Sequence, residues 1–364
     1  MNVIKLFEKL LTYKSITPDD DGALDFIEEY LSDFEAVRID KEDTKNLFLY
    51  KKFGEGEHLC FAGHIDVVPP GEGWNSDPFT PTYKDEYIIA RGAQDMKSGL
   101  AAFLQALKET KTFKGTLSVL ITSDEEGDAK YGTVEVLEYL KKKEFLPDFA
   151  VVAEPTCEKV FGDAIKIGRR GSINGVLEKI GEQGHAAYPE KTKNPIHKVA
   201  QVLPHIAGVK LDEGDEYFTP SRFIITDIRA GMEVTNVTPD KLKMMFNVRN
   251  STKTTKEDIE KFVDKYFKDM DYTLVLNQSA KPFVTDKNSK IVKKLTKSIK
   301  DILNQKPKLS TAGGTSDARF FGEYGVDTVE FGVVNDTIHQ ANERTSVKEV
   351  EKLYEVFREL IKGF

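Results

Sequence analysis

The sequence predicts an α/β protein in which a catalytic domain with a mostly parallel sheet is interrupted by a smaller α+β domain. Three observations lead to this prediction. A chain of 364 residues is longer than one hydrophobic core comfortably serves. Apolar strand-like runs alternate with helical segments up to about residue 165. This alternation changes near Gly171, and alternating helices and strands resume after residue 284.

The first part of the chain reads as alternating helices and strands. Its first 11 residues interrupt apolar side chains with charges at helical spacing, which indicates an amphipathic helix rather than a signal peptide. The alternation that follows predicts a largely parallel sheet with helices on its faces. The predicted elements are a strand at 59–62, a helix at 100–107, a strand at 117–121, a helix at 134–141 and a strand at 149–152.

The middle of the chain has the order strand, helix, strand, strand, helix, strand, which is the ferredoxin-like arrangement. These elements are predicted at 173–180, 195–206, 222–228, 242–249, 256–267 and 272–276. A helix at 289–304, a strand at 327–332 and a helix at 347–362 close the chain. We therefore expect a catalytic domain at 1–170 and 285–364, and an inserted domain at 171–284.

The bulk composition excludes several classes of protein. A net charge of −8 and a pI near 5.5 argue against a nucleic-acid-binding surface. No apolar run approaches the roughly 18 residues of a membrane span. Two cysteines are too few for a disulfide scaffold, so a reducing cytoplasm is the expected location.

Acidic residues and histidines stand at the carboxyl ends of the predicted strands. Ligands bind at this edge in open α/β sheets. "TSDEEG" directly follows a buried strand, and on its own it would be a solvated turn. The residues that the strand ends bring to this edge are His64, Asp66, Glu125, Glu126 and Glu154, with Asp95 before a helix and His339 after the strand near 330.

This set of side chains suits a divalent metal such as zinc, which binds imidazole nitrogen and carboxylate oxygen. One ion needs about three protein ligands, so the surplus suggests two ions that share a carboxylate. Asp66 lies two residues from His64 on the same face of an extended segment, where it can orient the imidazole. A single histidine is more often structural than a ligand, and His58, His197 and His205 are expected on the surface or on helix faces.

Eight phrases resemble those of the M20 family of two-zinc amidohydrolases and peptidases, and together they run through nearly the whole chain. They are "GHIDVVPPGEGWNSDPF", "ARGAQDMKSGLAAF", "TSDEEG", "AEPT", "GRRGS", "GHAAYP", "GGTSDARFF" and "TIHQANE". The resemblance implies two zinc ions per subunit, with cobalt able to replace one. It implies that Asp95 bridges the ions, that His64 and Glu154 complete one site and Glu126 and His339 the other, and that Glu125 is the general base with Asp66 behind it.

The resemblance also implies an acylated diamino acid as substrate and a homodimer formed through the inserted domain. The implied substrate contacts are Arg169 or Arg170, Tyr188, Asn236, Arg249, Gly314, Thr315 and Asn335. His185 is implied to reach into the site of the partner subunit and to assist catalysis there. Two alternatives stay open: another deacylase or peptidase of the family, such as an acetylornithine deacetylase, and a non-catalytic metal- or peptide-binding relative.

The sequence departs from the family pattern beside the ligands. Ala153 stands where glycine is common, and Gln94 and Ser98 stand where smaller residues are usual. None of these changes removes a ligand. Gln94 adjoins Asp95, so we expect it to alter the surroundings of the bridging carboxylate.

Overall fold

The computed structural model describes every residue from Met1 to Phe364. Its nine α-helices are α1 (Val3–Leu11), α2 (Ala23–Tyr30), α3 (Lys97–Glu109), α4 (Thr133–Lys142), α5 (Pro195–Ile206), α6 (Lys256–Phe267), α7 (Lys290–Leu303), α8 (Ala318–Glu323) and α9 (Val347–Gly363). None of them combines the length and the apolar character that a bilayer crossing requires.

The chain also forms nineteen strands. Those before residue 170 are β1 (Glu35–Arg38), β2 (Asn46–Lys52), β3 (Glu57–His64), β4 (Thr82–Lys84), β5 (Tyr87–Ile89), β6 (Gly115–Thr122), β7 (Phe149–Val152), β8 (Ala164–Lys166) and β9 (Gly168–Arg169). The later ones are β10 (Ser172–Ile180), β11 (Gly184–His185), β12 (Ile224–Ala230), β13 (Val237–Thr238), β14 (Lys241–Val248), β15 (Tyr272–Ala280), β16 (Phe283–Val284), β17 (Lys308–Ser310), β18 (Asp327–Glu330) and β19 (Arg344–Ser346).

The chain folds into two compact units. The first unit comprises Met1–Gly168, Val284–Ser310 and Ser316–Phe364. The inserted unit comprises Arg169–Phe283 together with the short segment Thr311–Thr315. No sequence pattern indicated that this short segment belongs with the inserted unit, from which α7 and β17 separate it along the chain.

The first unit is built on an eight-stranded sheet in the order β1-β2-β6-β3-β7-β18-β8-β17. The neighbouring pairs β6–β3, β3–β7, β7–β18 and β8–β17 are parallel. Every residue of β6 is buried, as are all but one of β3, because helices cover the faces of a parallel sheet. The predicted fold class is therefore confirmed.

Helix α3 lies close to the backbone that follows β7. Gly99 makes this approach possible, because a methyl group at that position would collide with the carbonyl oxygen of Ala153. Ala153 directly precedes Glu154, and Asp95 lies just before α3. The close packing therefore helps to bring two of the predicted ligands to the same edge of the sheet.

The inserted unit contains a four-stranded antiparallel sheet in the order β12-β14-β10-β15. With α5 and α6 this order is that of the ferredoxin-like fold, as predicted. One face of the sheet packs on the two helices through a core that includes Leu177, Val199, Phe246, Ile259 and Phe267.

His58 is a correction to the sequence prediction, because it lies inside the first unit and only 6% of it is exposed. It is the second residue of β3, where its Nε2 atom lies 2.7 Å from the Ser118 hydroxyl and its ring lies against Phe145. Burial lowers the pKa of His58 from 6.5 to about 4. His197 and His205 are exposed on α5, as expected.

His58 makes the stability of the protein depend on pH. Below pH 6.5 the unfolded chain protonates His58, but the folded chain does so only near pH 4, so this contribution to stability is lost as the pH falls. Between pH 7 and pH 5 the loss amounts to about 2 kcal/mol. Urea unfolding of the metal-free proteins at the two pH values measures this loss in the free energy of unfolding. The His58→Gln variant should not show the loss, whereas His205→Gln should show it as the wild type does. Equal pH dependence in all three proteins would contradict the prediction.

Candidate metal centre

The topology of the first unit brings three strand ends to one edge of the sheet. Strands β6, β3 and β7 are parallel neighbours, so their carboxyl ends point the same way. His64 is the last residue of β3, Glu125 and Glu126 follow β6, and Glu154 follows β7. All three β-strands are mainly apolar and buried, which fixes where these polar side chains emerge.

Asp95 lies between the two histidines. Its Oδ1 atom is 3.2 Å from His64 Nε2, and its Oδ2 atom is 3.5 Å from His339 Nε2. Glu126 Oε1 lies 3.0 Å from His339 Nε2, and Glu154 Oε1 lies 3.8 Å from His64 Nε2. Two sets of potential ligands therefore share one carboxylate, each through a different oxygen atom.

Glu125 also lies near this centre, 4.0 Å from His64 Nε2. The ligand atoms of His64, Glu125 and Glu154 all lie within 4.8 Å of one another. The same is true of the ligand atoms of His64, Asp95 and Glu126. Asp95 is nearer to His64 and is the carboxylate that faces both imidazoles, so it is the better shared ligand. Neither set of ligands therefore needs the carboxylate of Glu125.

Asp66 contacts the centre in two ways. Its backbone carbonyl accepts a hydrogen bond from His64 Nδ1 at 2.9 Å, while its carboxylate is 3.6 Å from the same atom. The carboxylate accepts hydrogen bonds from the backbone N–H groups of Glu126 at 3.0 Å and Glu125 at 3.4 Å. Asp66 thus leaves Nε2 of His64 facing Asp95 and also holds the turn that carries both glutamates.

Burial and mutual repulsion dominate the charges of this centre. Burial raises the pKa of Glu125 and of Glu154 well above the ordinary value, and nearby carboxylates add to the shift. Burial alone would lower the pKa of His64, but Asp95, Asp66 and the glutamates raise it well above 6.5. Without a metal, the centre therefore retains protons.

The pKa of His339 shows the same attraction for positive charge. Hydrogen bonds to Asp95 and Glu126 raise it to about 10. Burial opposes ionisation of Asp95, yet hydrogen bonds from the two histidines hold its pKa below the ordinary value. Divalent cations would displace these protons and neutralise the buried carboxylates. The imidazole and carboxylate donors therefore fit a pair of metal ions.

Two positions that the sequence prediction missed support the ligands. The Thr17 hydroxyl donates to the Asp66 carboxylate at 2.6 Å. Glu343, which is 1% exposed, accepts hydrogen bonds from the backbone N–H groups of Gly92, Gln94 and Asp95. The sequence around Thr17 or Glu343 gives no local sign of such long-range contacts, because one is a threonine in a turn and the other a glutamate after an asparagine.

The predicted arginines lie at or within the inserted unit and differ in their surroundings. Arg169 is buried and its Nη1 donates to the carbonyl oxygen of Ala312 at 3.1 Å. The guanidinium of Arg170 donates to the carbonyl oxygen of Arg249 and to Thr219. Arg249 is the exposed one of the three. Their contact with a substrate stays a prediction.

The remaining predicted contacts fall into three places. His185, Tyr188 and Asn236 are neighbours in the inserted unit: the rings of the first two are 5.8 Å apart, and Asn236 accepts a hydrogen bond from the residue after His185. Gly314 and Thr315 belong to the short segment of the same unit. Asn335 lies in the first unit, where its Nδ2 donates to the carbonyl oxygen of Pro155. Their roles also stay predictions.

An α/β fold with this centre at its sheet edge defines a metal-dependent hydrolase. The particular family follows from comparison with known proteins: the chain belongs to peptidase family M20/M25/M40, whose profile matches residues 60–363. The predicted family is thus confirmed. The chain is 71% identical to the succinyl-diaminopimelate desuccinylase of a Nitratiruptor species over 364 residues, which is the full length of both proteins. It is 70% identical to the enzyme of the same name from Nautilia profundicola over 99% of each chain.

Solved structures share the fold at lower sequence identity. Aminopeptidase PepT from Bacillus cereus superposes with a TM-score of 0.82 at 21% identity, covering 100% of this chain and 98% of that one. The YXEP protein of Bacillus subtilis, a dinuclear metal binding peptidase from the M20 family, superposes with a TM-score of 0.71 at 15% identity, covering 99% and 96%. These likenesses concern the fold alone.

The assignment of Glu126 to one ion predicts a specific loss of metal. The Glu126→Ala variant should bind one ion per chain and the wild type two, because only one of the two expected ligand sets contains this carboxylate. Elemental analysis after dialysis against metal-free buffer measures the ratio. Asp128→Ala, an exposed acid in the same loop, serves as the control and should keep both ions. Two tightly bound ions in Glu126→Ala would contradict the assignment.

Proposed function

We propose that this protein hydrolyses N-succinyl-L,L-2,6-diaminopimelate to succinate and L,L-2,6-diaminopimelate, a step in lysine and diaminopimelate biosynthesis. The placement of Asp95 between two histidines, with Glu125 beside them, supports amide hydrolysis by a metal centre. Five relatives that are 63–71% identical over 99–100% of the chain are succinyl-diaminopimelate desuccinylases, which supports this substrate.

The ligands divide between two ions in the proposed centre. Asp95, His64 and Glu154 would hold one, and Asp95, Glu126 and His339 the other. We propose zinc as the ion in both places because the donors are imidazole and carboxylate, with cobalt able to replace one. When bound, the ions lower the pKa of a coordinated water and polarise the scissile carbonyl.

Glu125 moves the protons in this proposal. Its carboxylate takes a proton from the attacking water as oxygen bonds to the amide carbon. It then gives the proton to the amine nitrogen as the carbon–nitrogen bond breaks, so that succinate and the free amine leave. Glu125 is not needed as a ligand in either set, so its carboxylate is free to take up this proton and to release it. The Asp66 carboxylate accepts a hydrogen bond from the backbone N–H of Glu125 and so keeps Glu125 in place.

Arginine side chains are proposed to recognise the carboxylates of the substrate. A guanidinium binds a carboxylate through two parallel hydrogen bonds, which a lysine ammonium cannot reproduce. Arg249 is the strongest candidate because its side chain is exposed, whereas that of Arg169 is buried and that of Arg170 is bonded to Thr219. Tyr188, Asn236, Gly314, Thr315 and Asn335 are proposed as further substrate contacts.

The proposed assembly is a homodimer in the cytoplasm. Of the two edge strands of the inserted unit's sheet, β12 exposes two large apolar side chains, Ile224 and Ile228, 43% and 41% accessible, whereas β15 exposes only Val275. An unpaired edge with apolar side chains favours pairing with a second copy of the chain. His185, which is exposed in the same unit, is proposed to reach the partner's site and to stabilise the oxyanion that forms at the scissile carbonyl.

The substrate assignment predicts a clear preference between two acylated amino acids. The zinc-loaded protein should hydrolyse N-succinyl-diaminopimelate with a higher kcat/KM than N-acetylornithine, because the succinyl group carries a carboxylate that an arginine can bind and the acetyl group carries none. The Glu125→Gln variant should keep two ions and lose activity by about 10²–10⁴-fold. Faster turnover of N-acetylornithine would indicate a different deacylase of the family. Absence of hydrolysis in the two-ion wild type would favour a non-catalytic relative.

The dimer proposal predicts a mass of twice the 41.0 kDa chain in multi-angle light scattering. Ile228→Lys should shift the protein toward the monomer, because a charge on an edge strand opposes pairing. Val275→Lys places the same charge on the opposite edge strand, β15, and should leave the dimer intact. A monomeric wild type, or a dimer broken only by Val275→Lys, would contradict the proposal.

A further inference from the structure

The two histidines of the centre are held in different ways. His64 ends a central β-strand and only 1% of its side chain is exposed, so the sheet itself fixes its position. His339 lies in the connection between β18 and β19, and 47% of its side chain is exposed. Its backbone φ is +60°, a left-handed conformation that non-glycine residues rarely adopt. Something other than burial must therefore position His339.

Gln94 contacts the chain on both sides of His339. Its Nε2 atom donates to Asp336 Oδ1 at 2.7 Å and to the carbonyl oxygen of Arg344 at 3.2 Å. Its Oε1 atom accepts hydrogen bonds from the backbone N–H groups of Thr337 at 2.8 Å and Asp336 at 3.2 Å. Both ends of the amide are thus used. Every partner belongs to the segment that carries His339, here called loop 336–344, which ends on the first residue of β19.

Gln94 also directly precedes Asp95, the carboxylate that faces both histidines. It is 3% exposed, so its hydrogen bonds do not compete with bulk water. Glu343 fixes the same segment from the other side, because it accepts hydrogen bonds from the backbone N–H groups of Gln94 and Asp95 and forms an ion pair with Arg91. The loop 336–344 and the segment 91–95 therefore form one hydrogen-bonded assembly.

We infer that Gln94 is a positioning residue that holds the His339 loop against Asp95 and thereby sets the affinity of one of the two ion sites. The site it controls is that of Asp95, Glu126 and His339. The other site shares Asp95, whose backbone Glu343 holds, but takes His64 and Glu154 from the sheet, so its affinity should not depend on the Gln94 amide. This inference rests on the proposed two-ion centre and adds a residue that binds neither metal nor substrate.

The contacts explain what a long amide does at this position, where smaller residues are usual in the family pattern. A smaller residue at position 94 could not reach loop 336–344, and the amide supplies a donor and an acceptor at once. Residues that orient metal ligands typically contribute about 10–100-fold to metal affinity. Because the contacts flank only His339, we expect that contribution at one site.

The test measures both zinc affinities by competition with a chromophoric chelator of known affinity. In Gln94→Ala, one dissociation constant should rise by about 10–100-fold while the other stays unchanged. Gln94→Asn keeps a buried amide but is one methylene too short to span the gap, so it should show the same selective loss. Gln105→Ala is the matched control, since Gln105 is also a buried glutamine whose amide is hydrogen-bonded at both ends, to Tyr30 of α2 and to Glu109 of α3.

A double-mutant cycle identifies the affected site. On a His339→Ala background, Gln94→Ala should cause no further loss of zinc affinity, because the loop has already lost its ligand. On a Glu154→Ala background the full effect should remain. Equal weakening of both ions, or an undiminished effect on the His339→Ala background, would overturn the inference. A wild type that binds fewer than two ions would instead refute the proposed centre on which the inference depends.

Discussion

The position of one carboxylate, Asp95, between two imidazoles is the constraint on which the rest of the centre depends. His64 Nε2 and His339 Nε2 face different oxygens of Asp95, at 3.2 and 3.5 Å. Such an arrangement concentrates negative charge in a buried place, which is costly unless cations balance it. The raised pKa values of His64 and His339 show how strongly this place attracts positive charge.

The two halves of the centre have different structural origins. Parallel strands supply His64 and Glu154 from the interior of the first unit, where packing leaves little freedom. The other half comes from the turn after β6 and the loop before β19, which hydrogen bonds from Asp66 and Gln94 hold in place. A sheet can thus provide one rigid ligand set, while the second set depends on polar contacts between loops.

Much of the fold and of the candidate centre could be predicted from the sequence because both have local signatures. Apolar runs marked the β-strands, and His64, Glu126 and Glu154 stand where those strands end. The partners of Gln94 could not be predicted, since they lie about 240 residues away and a buried amide has no periodic pattern. His58 was placed wrongly because the predicted strand began at residue 59, whereas β3 begins at Glu57 and sets the imidazole beside the Ser118 hydroxyl on the neighbouring strand.

Anomalous diffraction from crystals of the zinc-loaded protein tests the central claim most directly. The account predicts two zinc peaks about 3.5–4 Å apart, with one oxygen of Asp95 bound to each. His64 and Glu154 should flank one peak, and Glu126 and His339 the other. A single zinc peak at full occupancy, or two peaks that Asp95 does not connect, would contradict it.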